Sequence, residues 1–386
     1  MTEISRAARL FLGAVAALGL AVPAPADTRP FSLAGQLSGW ASLQSSDGTE
    51  GLAGIRYIPT LSLAKALPQF SLDAEASVNV YGTVDILSSD GSRTDGRLKP
   101  YRIWARFSTN RFEARIGLQK INFGSASLLR PLMWFDRIDP NDPLQLTDGV
   151  TGLLLKHTFR NNANVWLWGL YGNDEMKGWE SVPSRRASPE FGGRVQTPVP
   201  AGELALTYHH RHMDAARSLI PLPPGEGSRV PEDRLGLDGK WDVGPGVWLE
   251  AAIIRQGWSL YPLKCQRMIN LGTDYTFPLG NGFHVLAEHL DFTASTDLWS
   301  GGTSRRLTAL LFDYSLGLFD RLRAIVFRDW TAGDWYRSLT WQRTYDRWSF
   351  FLIGFWNPET YRVFTTSGGG ANFAGKGLQI MVVFNH

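Results

Sequence analysis

The chain is almost without cysteine: Cys265 stands alone among 386 residues. No disulfide can form within the chain, and a single inert thiol is the ordinary reading of Cys265. Long apolar runs are missing as well. Beyond the N-terminal segment no stretch approaches the roughly 18 consecutive apolar residues of a membrane-crossing helix. Excess charge of one sign is also lacking. The formal net charge is +3, and setting aside Glu3, Arg6 and Arg9 leaves 37 basic against 35 acidic residues. That balance excludes nucleic acid as a partner. There is no haem-attachment Cys-x-x-Cys-His, no phosphate-binding loop and no dinucleotide fingerprint, so no cofactor is expected.

What is present is glycine, at 40 residues, and aromatic side chains, at 12% with 15 Trp. Mean hydropathy is nonetheless slightly negative. Strands that hide apolar residues at alternate positions produce that combination. At the start, Arg6 and Arg9 precede the apolar stretch Leu10 to Val22, and Ala24-Pro25-Ala26 offers small residues for cleavage. Residues 1–26 read as a secretory signal peptide, leaving 27–386 as the mature chain. No Cys follows the site, so the chain itself is not a lipoprotein.

The dominant periodicity is two. Phe70, Leu72, Ala74, Ala76, Val78 and Val80 alternate with Ser71, Asp73, Glu75, Ser77, Asn79 and Tyr81. A helix would drop Asp73, Glu75 and Asn79 among the apolar residues, whereas a strand separates an oily face from a wet one. Phe112 to Gln119 and Tyr101 to Ser108 repeat the pattern. Val165 to Leu170 and Phe350 to Phe355 are apolar on both faces, which reads as strands whose inner face packs under a loop. Eighteen strands are expected: 33–43, 51–63, 70–82, 99–109, 111–119, 150–159, 164–172, 190–197, 203–213, 233–242, 247–257, 267–277, 283–292, 305–316, 321–330, 335–344, 347–357 and 376–386.

From the third strand on, connections alternate between long (83–98, 120–149, 173–189, 214–232, 258–266, 293–304, 358–375) and short. A propeller would show a repeat of ~40–50 residues, and none is evident. A closed up-and-down barrel predicts the rhythm, with tight turns at a periplasmic rim and long loops outside. Hydrocarbon demands closure, because an open sheet edge would leave backbone groups unpaired at several kcal/mol each. Leu378, Ile380, Val382, Phe384 and His386 share a face in the last strand, and this resembles the C-terminal strand of outer-membrane proteins. That strand usually ends in an aromatic residue; here Phe384 is third from the end and His386 holds the terminal slot. Trp348 and Trp356 have one parity, eight residues apart, and read as rungs of the two aromatic girdles.

The thirty-residue connection 120–149 is the third external loop, and in position it resembles the loop that folds inward to constrict general diffusion porins. The likeness to the Gram-negative porin family, of 16 to 18 strands, covers the barrel plan and rests on no shared motif. It implies acidic loop residues facing a basic wall. Asp136, Asp139, Asp142 and Asp148 are the candidate acids. Arg102, Arg106 and Arg115 are the candidate wall, with Arg130 and Arg137 on the loop itself. Arg321 and Arg323, with Asp329, form a second inward set that would extend the basic wall or stiffen the barrel. Asp139-Pro140 and Asp142-Pro143 also suit plain turn formation. Trp104, Trp134, Phe135 and Trp166 could supply an aromatic slide for sugars. His209-His210-Arg211-His212 looks metal-like, but on a strand His209 points away from the other two, so no metal is expected. Ala287-Glu288-His289 lacks the second His of a zinc protease, and no serine is singled out, so no enzyme is expected.

The leading expectation is therefore an all-β transmembrane barrel in the outer-membrane lipid that passes small hydrophilic solutes, anions being favoured by the arginines. The porin resemblance also implies a homotrimer. The competing expectation is a scaffold with a cytochrome or lipoprotein partner, for example a sheath around a multihaem cytochrome. A soluble periplasmic β-protein is a further alternative.

Overall fold

The computed structural model describes residues 30–45, 48–85, 94–359 and 373–386. The first nine strands are β1 (Phe31–Ser45), β2 (Thr49–Ala66), β3 (Ser71–Asp85), β4 (Thr94–Ser108), β5 (Phe112–Gln119), β6 (Val150–Thr158), β7 (Asn164–Leu170), β8 (Glu190–Val199) and β9 (Gly202–Asp214). The second nine are β10 (Arg229–Asp242), β11 (Gly246–Gln256), β12 (Cys265–Phe277), β13 (Phe283–Ser295), β14 (Thr303–Ser315), β15 (Asp320–Asp329), β16 (Asp334–Thr344), β17 (Trp348–Trp356) and β18 (Lys376–Asn385). Each pairs antiparallel with its neighbours in sequence, and β18 pairs with β1 from Gln36↔Asn385 to Ser45↔Lys376. The sheet is a closed eighteen-stranded barrel with no free edge.

All eighteen expected strands are present. The largest differences lie at the external ends, where β4 starts at Thr94 and β10 at Arg229. These hairpins keep pairing after the apolar alternation has stopped, because backbone hydrogen bonding continues where side chains no longer meet lipid. The expected signal peptide lies outside the described residues, as do parts of the loops 83–98 and 358–375.

Alternation sorts the side chains between two solvents. Leu33, Leu98, Ile116, Leu271 and Ile380 point outward and are mostly exposed, Leu98 at 70%. Inward positions instead bury charge, including Arg194, Arg211, Glu232, Glu250 and Glu288. A water-soluble domain would reverse that arrangement, and so large an apolar surface calls for lipid. Trp348 and Trp356 both face outward at opposite ends of β17. Eight residues at ~3.3 Å, tilted by ~40°, separate them by ~20 Å along the barrel axis. Trp335 joins Trp356 toward the external rim; Tyr345 and Phe319 lie with Trp348 toward the periplasmic one.

The terminal His386 belongs to the closure. Its N–H donates to the Gly35 carbonyl (3.0 Å), and its carbonyl accepts from the Gly35 N–H (2.9 Å). The ring meets the Tyr57 hydroxyl at 3.0 Å. Strands β7 and β17, apolar on both faces, bury Trp168, Leu170, Phe351, Ile353 and Phe355 inside the barrel against one continuous apolar cluster. Residues 121–135 of the third external loop supply much of that cluster.

An outward residue at mid-strand should be sensitive to charge. Leu271→Arg is expected to lower unfolding free energy in lipid vesicles by about 2–4 kcal/mol. Denaturant titration monitored by Trp fluorescence checks this; an unchanged midpoint would mean that Leu271 does not face hydrocarbon.

Candidate functional site

The connection from β5 to β6, residues 120–149, runs through the barrel interior and is caught by two carboxylates of the far wall. Glu288 of β13 accepts three successive backbone N–H groups, from Ser127 (2.6 Å), Leu128 (3.0 Å) and Leu129 (2.6 Å). The Trp248 indole N–H approaches the same carboxylate at 3.2 Å. Glu250 of β11 accepts from Ala126 (2.9 Å) and Leu132 (2.6 Å). Asn270 of β12 donates to the Leu129 carbonyl at 2.8 Å. Both carboxylates are buried, Glu250 completely. Hydrogen bonds to a charged group contribute about 1.5–3 kcal/mol each. The loop backbone would otherwise carry unsatisfied donors into the barrel.

Local sequence allows this approach. Gly124 has φ +98°, and a Cβ there would sit 2.5 Å from Glu250 Oε2. Gly236 on β10 leaves room for Leu132, whose Cδ2 would lie 2.5 Å from an added Cβ. Phe123 stacks on Trp168 with ring centres 5.8 Å apart, and Phe135 meets the edges of Trp168 and His209. The loop therefore has an apolar underside and a polar backbone grip.

Charges on the loop mostly serve the loop. Arg130 pairs with Asp136 at 3.1 Å, both buried, and also bonds Asn122. The Asp139 carboxylate accepts the Asn141 N–H, and Asp142 accepts from Leu144 (3.0 Å) and, more weakly, Leu146. These are the turn-forming roles the Asp-Pro pairs allow. Arg137 donates its backbone N–H to Thr147 Oγ1. Burial pushes the Asp139 carboxyl up to about 6, although its residue keeps partial solvent contact; the Asn141 N–H opposes the shift. Burial likewise raises Asp142, with Arg56 of β2 opposing.

The wall arginines divide. Arg102 is buried and donates to the Thr147 carbonyl (2.8 Å) and the Asp148 carbonyl (3.0 Å), so it fastens the returning end of the loop. Lys99 meets the Asp148 carboxylate at 2.6 Å. Arg106 and Arg115 lie nearer the periplasmic rim and remain wet. Arg106 bonds Asp73 (2.9 Å) and approaches Glu113 (3.7 Å); Arg115 bonds Glu113 (2.9 Å). Both guanidinium groups lie over Trp104, and Lys156 lies 3.7 Å from the centre of Trp166. Arg321 and Arg323 share Asp313 at 2.5 and 2.9 Å, with Arg321 47% exposed. Asp329 pairs with Arg305 instead.

On the external side, a second loop, 171–189, stacks on the first. The Trp179 indole donates to the Arg130 carbonyl, and the Gly178 N–H to the Asp136 carbonyl. Beneath it lies an ionic network that sequence reading missed. Arg211 bonds Glu232 (2.5 Å) and Glu180 (3.0 Å), and Arg234 bonds the same two acids. Arg194 pairs with Asp238 on the wall beside it. A cavity of about 200 Å³ opens onto Arg211, Arg234, Glu180, Gln256, Trp134 and Tyr261.

No family model and no curated protein sequence matches the chain. Among solved structures, Acinetobacter baumannii OccAB4 is 9% identical with a TM-score of 0.55, covering 94% of this chain and all of that one. The Pseudomonas aeruginosa outer-membrane protein OpdK is 13% identical with a TM-score of 0.55, over 92% and 99% of the two chains. Escherichia coli Wzi, an outer-membrane protein of group 1 capsule assembly and a carbohydrate-binding β-barrel, is 10% identical with a TM-score of 0.52, over 91% and 84%. The chain has the fold of an outer-membrane porin barrel.

Within this barrel several expected roles change. Arg102 does not face open lumen, because the loop backbone covers it. Trp134 and Phe135 are almost fully buried, so they cannot share a slide with the accessible Trp104 and Trp166. The histidines diverge as alternation requires. His209 points inward to Glu190 and Trp168, whereas His210 meets Asp233 and His212 meets Arg229 on the outward face.

Loss of the carboxylate grip should free the loop. In Glu288→Ala, amide exchange at Ser127, Leu128 and Leu129 is expected to accelerate by ~100-fold or more while strand amides keep their protection. Unchanged exchange would mean that apolar packing alone holds the loop. Asp139 gives a pH signature. Its folded pKa lies above the unfolded one, so its contribution is fully present below about pH 4 and is lost as pH rises through about 6. Loop exchange, corrected for intrinsic pH dependence, should be slower at about pH 5 than at about pH 7. Asp139→Asn should shrink that difference, leaving the part that comes from Asp142, whose carboxyl is raised in the same direction.

Proposed function

We propose that the chain is an outer-membrane channel for small hydrophilic solutes, with residues 120–149 as its internal constriction and a preference for anions. The observation that supports this best is the combination of a loop pinned across the interior with charged inward side chains that stay wet beside it. Arg106, Arg115 and their acid partners keep about a fifth to a third of their side-chain surface. Inward residues of a sealed plug would be dry. Two guanidinium groups share the single carboxylate of Asp313, so the wall at β14 and β15 carries local positive charge, which favours carboxylate or phosphate solutes there.

In this reading the acids and arginines of the loop set its shape, and the field that a solute meets comes from Arg106, Arg115, Arg321 and Arg323. Residues 1–26 act as the leader that delivers the chain to the periplasm, and catalysis has no part. A sheath around a multihaem cytochrome fits less well, because the loop occupies the space that such a partner would need.

Planar bilayers test the proposal. Purified protein is expected to give discrete conductance steps and an anion-selective reversal potential in a salt gradient. Arg106→Ala combined with Arg115→Ala should move that potential toward cations. Bilayers that stay silent, or an unmoved reversal potential in the double variant, would overturn the respective claim.

A further inference from the structure

The outward face of the barrel is not uniform around its circumference. Residues paired across neighbouring strands share a face, so the register defines which side chains meet lipid near the external rim. From β1 to β8 that outer face presents Ala53, Val84, Leu98, Leu118, Tyr171 and Phe191; the described outward strand residues of its external half carry no charge, and Lys120 follows just past the end of β5. From β10 to β16 the same height presents Arg229, Arg255, Arg267, Arg306, Arg328 and Arg337. Their register connects them: Asp233↔Arg255, Ile253↔Arg267, Asp291↔Arg306 and Arg328↔Trp335. Each lies within four residues of an external strand end, which is within ~10 Å along the barrel axis. Leu271, Ile269 and Leu237, lower on the same face, are the apolar surface that meets hydrocarbon.

These six arginines are under-neutralised. The carboxylates that share the face at this height are Asp214, opposite Arg229 and accepting the Ala216 N–H, Asp233, held by Tyr208 and His210, and Asp291, beside Arg306. Among the described residues, Arg267, Arg306 and Arg337 have no side-chain hydrogen bond or ion pair. Arg328 lies between the rings of Trp330 (5.5 Å) and Trp335 (5.0 Å), and Arg337 lies over Trp335 at 5.3 Å. Indole rings place this ladder at the boundary between hydrocarbon and headgroups. A planar guanidinium group there, with donors free, matches phosphate bidentately. Such a row costs energy in lipid unless an anion meets it.

We propose that this arc binds the phosphate groups of an anionic glycolipid headgroup in the outer leaflet, and that the arginine-free arc from β1 to β8 does not. The proposal rests on the membrane placement given above but not on channel activity. The test uses the full barrel in detergent micelles doped with diphosphorylated lipid A, with the same lipid after enzymatic dephosphorylation, or with inorganic phosphate alone. The diphosphorylated lipid should raise the unfolding temperature, and the other two additions should not. Each basic residue near an anionic surface contributes severalfold to binding. The variant Arg255→Gln/Arg267→Gln/Arg306→Gln/Arg337→Gln should therefore bind the lipid at least ~100-fold more weakly. The single variant Arg306→Gln should lose part of that. Equal stabilisation by the dephosphorylated lipid or by free phosphate, or undiminished binding in the variants, would overturn the proposal. Heat-modifiable migration on gels reports folding of each variant. Conductance in zwitterionic bilayers should match the parent, which separates failure of this proposal from failure of the channel reading.

Discussion

Backbone N–H groups meeting buried carboxylates are the constraint on which the interior depends. A thirty-residue connection drawn into a barrel carries its peptide groups away from bulk water, and each unpaired donor there costs about 1–3 kcal/mol. Glu288 and Glu250 collect five of them from residues 126–132. Arg102 does the converse at the returning end, where carbonyls need donors. With both ends satisfied, Phe123, Leu129, Leu132 and Phe135 can bury apolar surface against the wall.

The two faces of the sheet obey different solvents, and each explains one part of the chain. Outside, hydrocarbon forbids unpaired backbone and selects apolar side chains at every second position. That produces closure through β1 and β18 and the aromatic rungs at Trp348 and Trp356. Inside, water and loop backbone compete for the polar wall. Where the loop wins, the wall goes dry, as at Arg102 and Glu288. Where water wins, charges pair with one another and stay partly accessible, as at Arg106, Arg115 and Arg321.

The barrel was legible because lipid imposes period two on every strand and because tight turns gather at one rim. The interior was only half legible. Position identified Arg102, Arg106 and Arg115 as inward, but nothing in a strand sequence distinguishes an arginine facing water from one capping carbonyls thirty or more residues away. Glu288 was noticed only as a failed zinc motif. Its partners are backbone groups, which have no sequence signature. Asp139 and Asp142 had both readings open, and the turn-forming one is what their hydrogen bonds display. One signal was available. Leu128-Leu129-Arg130-Pro131-Leu132-Met133-Trp134-Phe135 is too apolar for a solvated loop, and an apolar loop has to be buried. The ionic network left no such signal, because Glu232 fell in the expected connection 214–232 and Glu180 in the loop 173–189.

Single-channel conductance of the parent and Glu288→Ala barrels tests the central claim most directly, with Glu288→Gln between them because an amide keeps one acceptor oxygen. If the carboxylate grip sets the constriction, conductance rises in the order Glu, Gln, Ala and open-channel noise grows with it. Identical conductance in all three, with the barrel folded, would contradict the account.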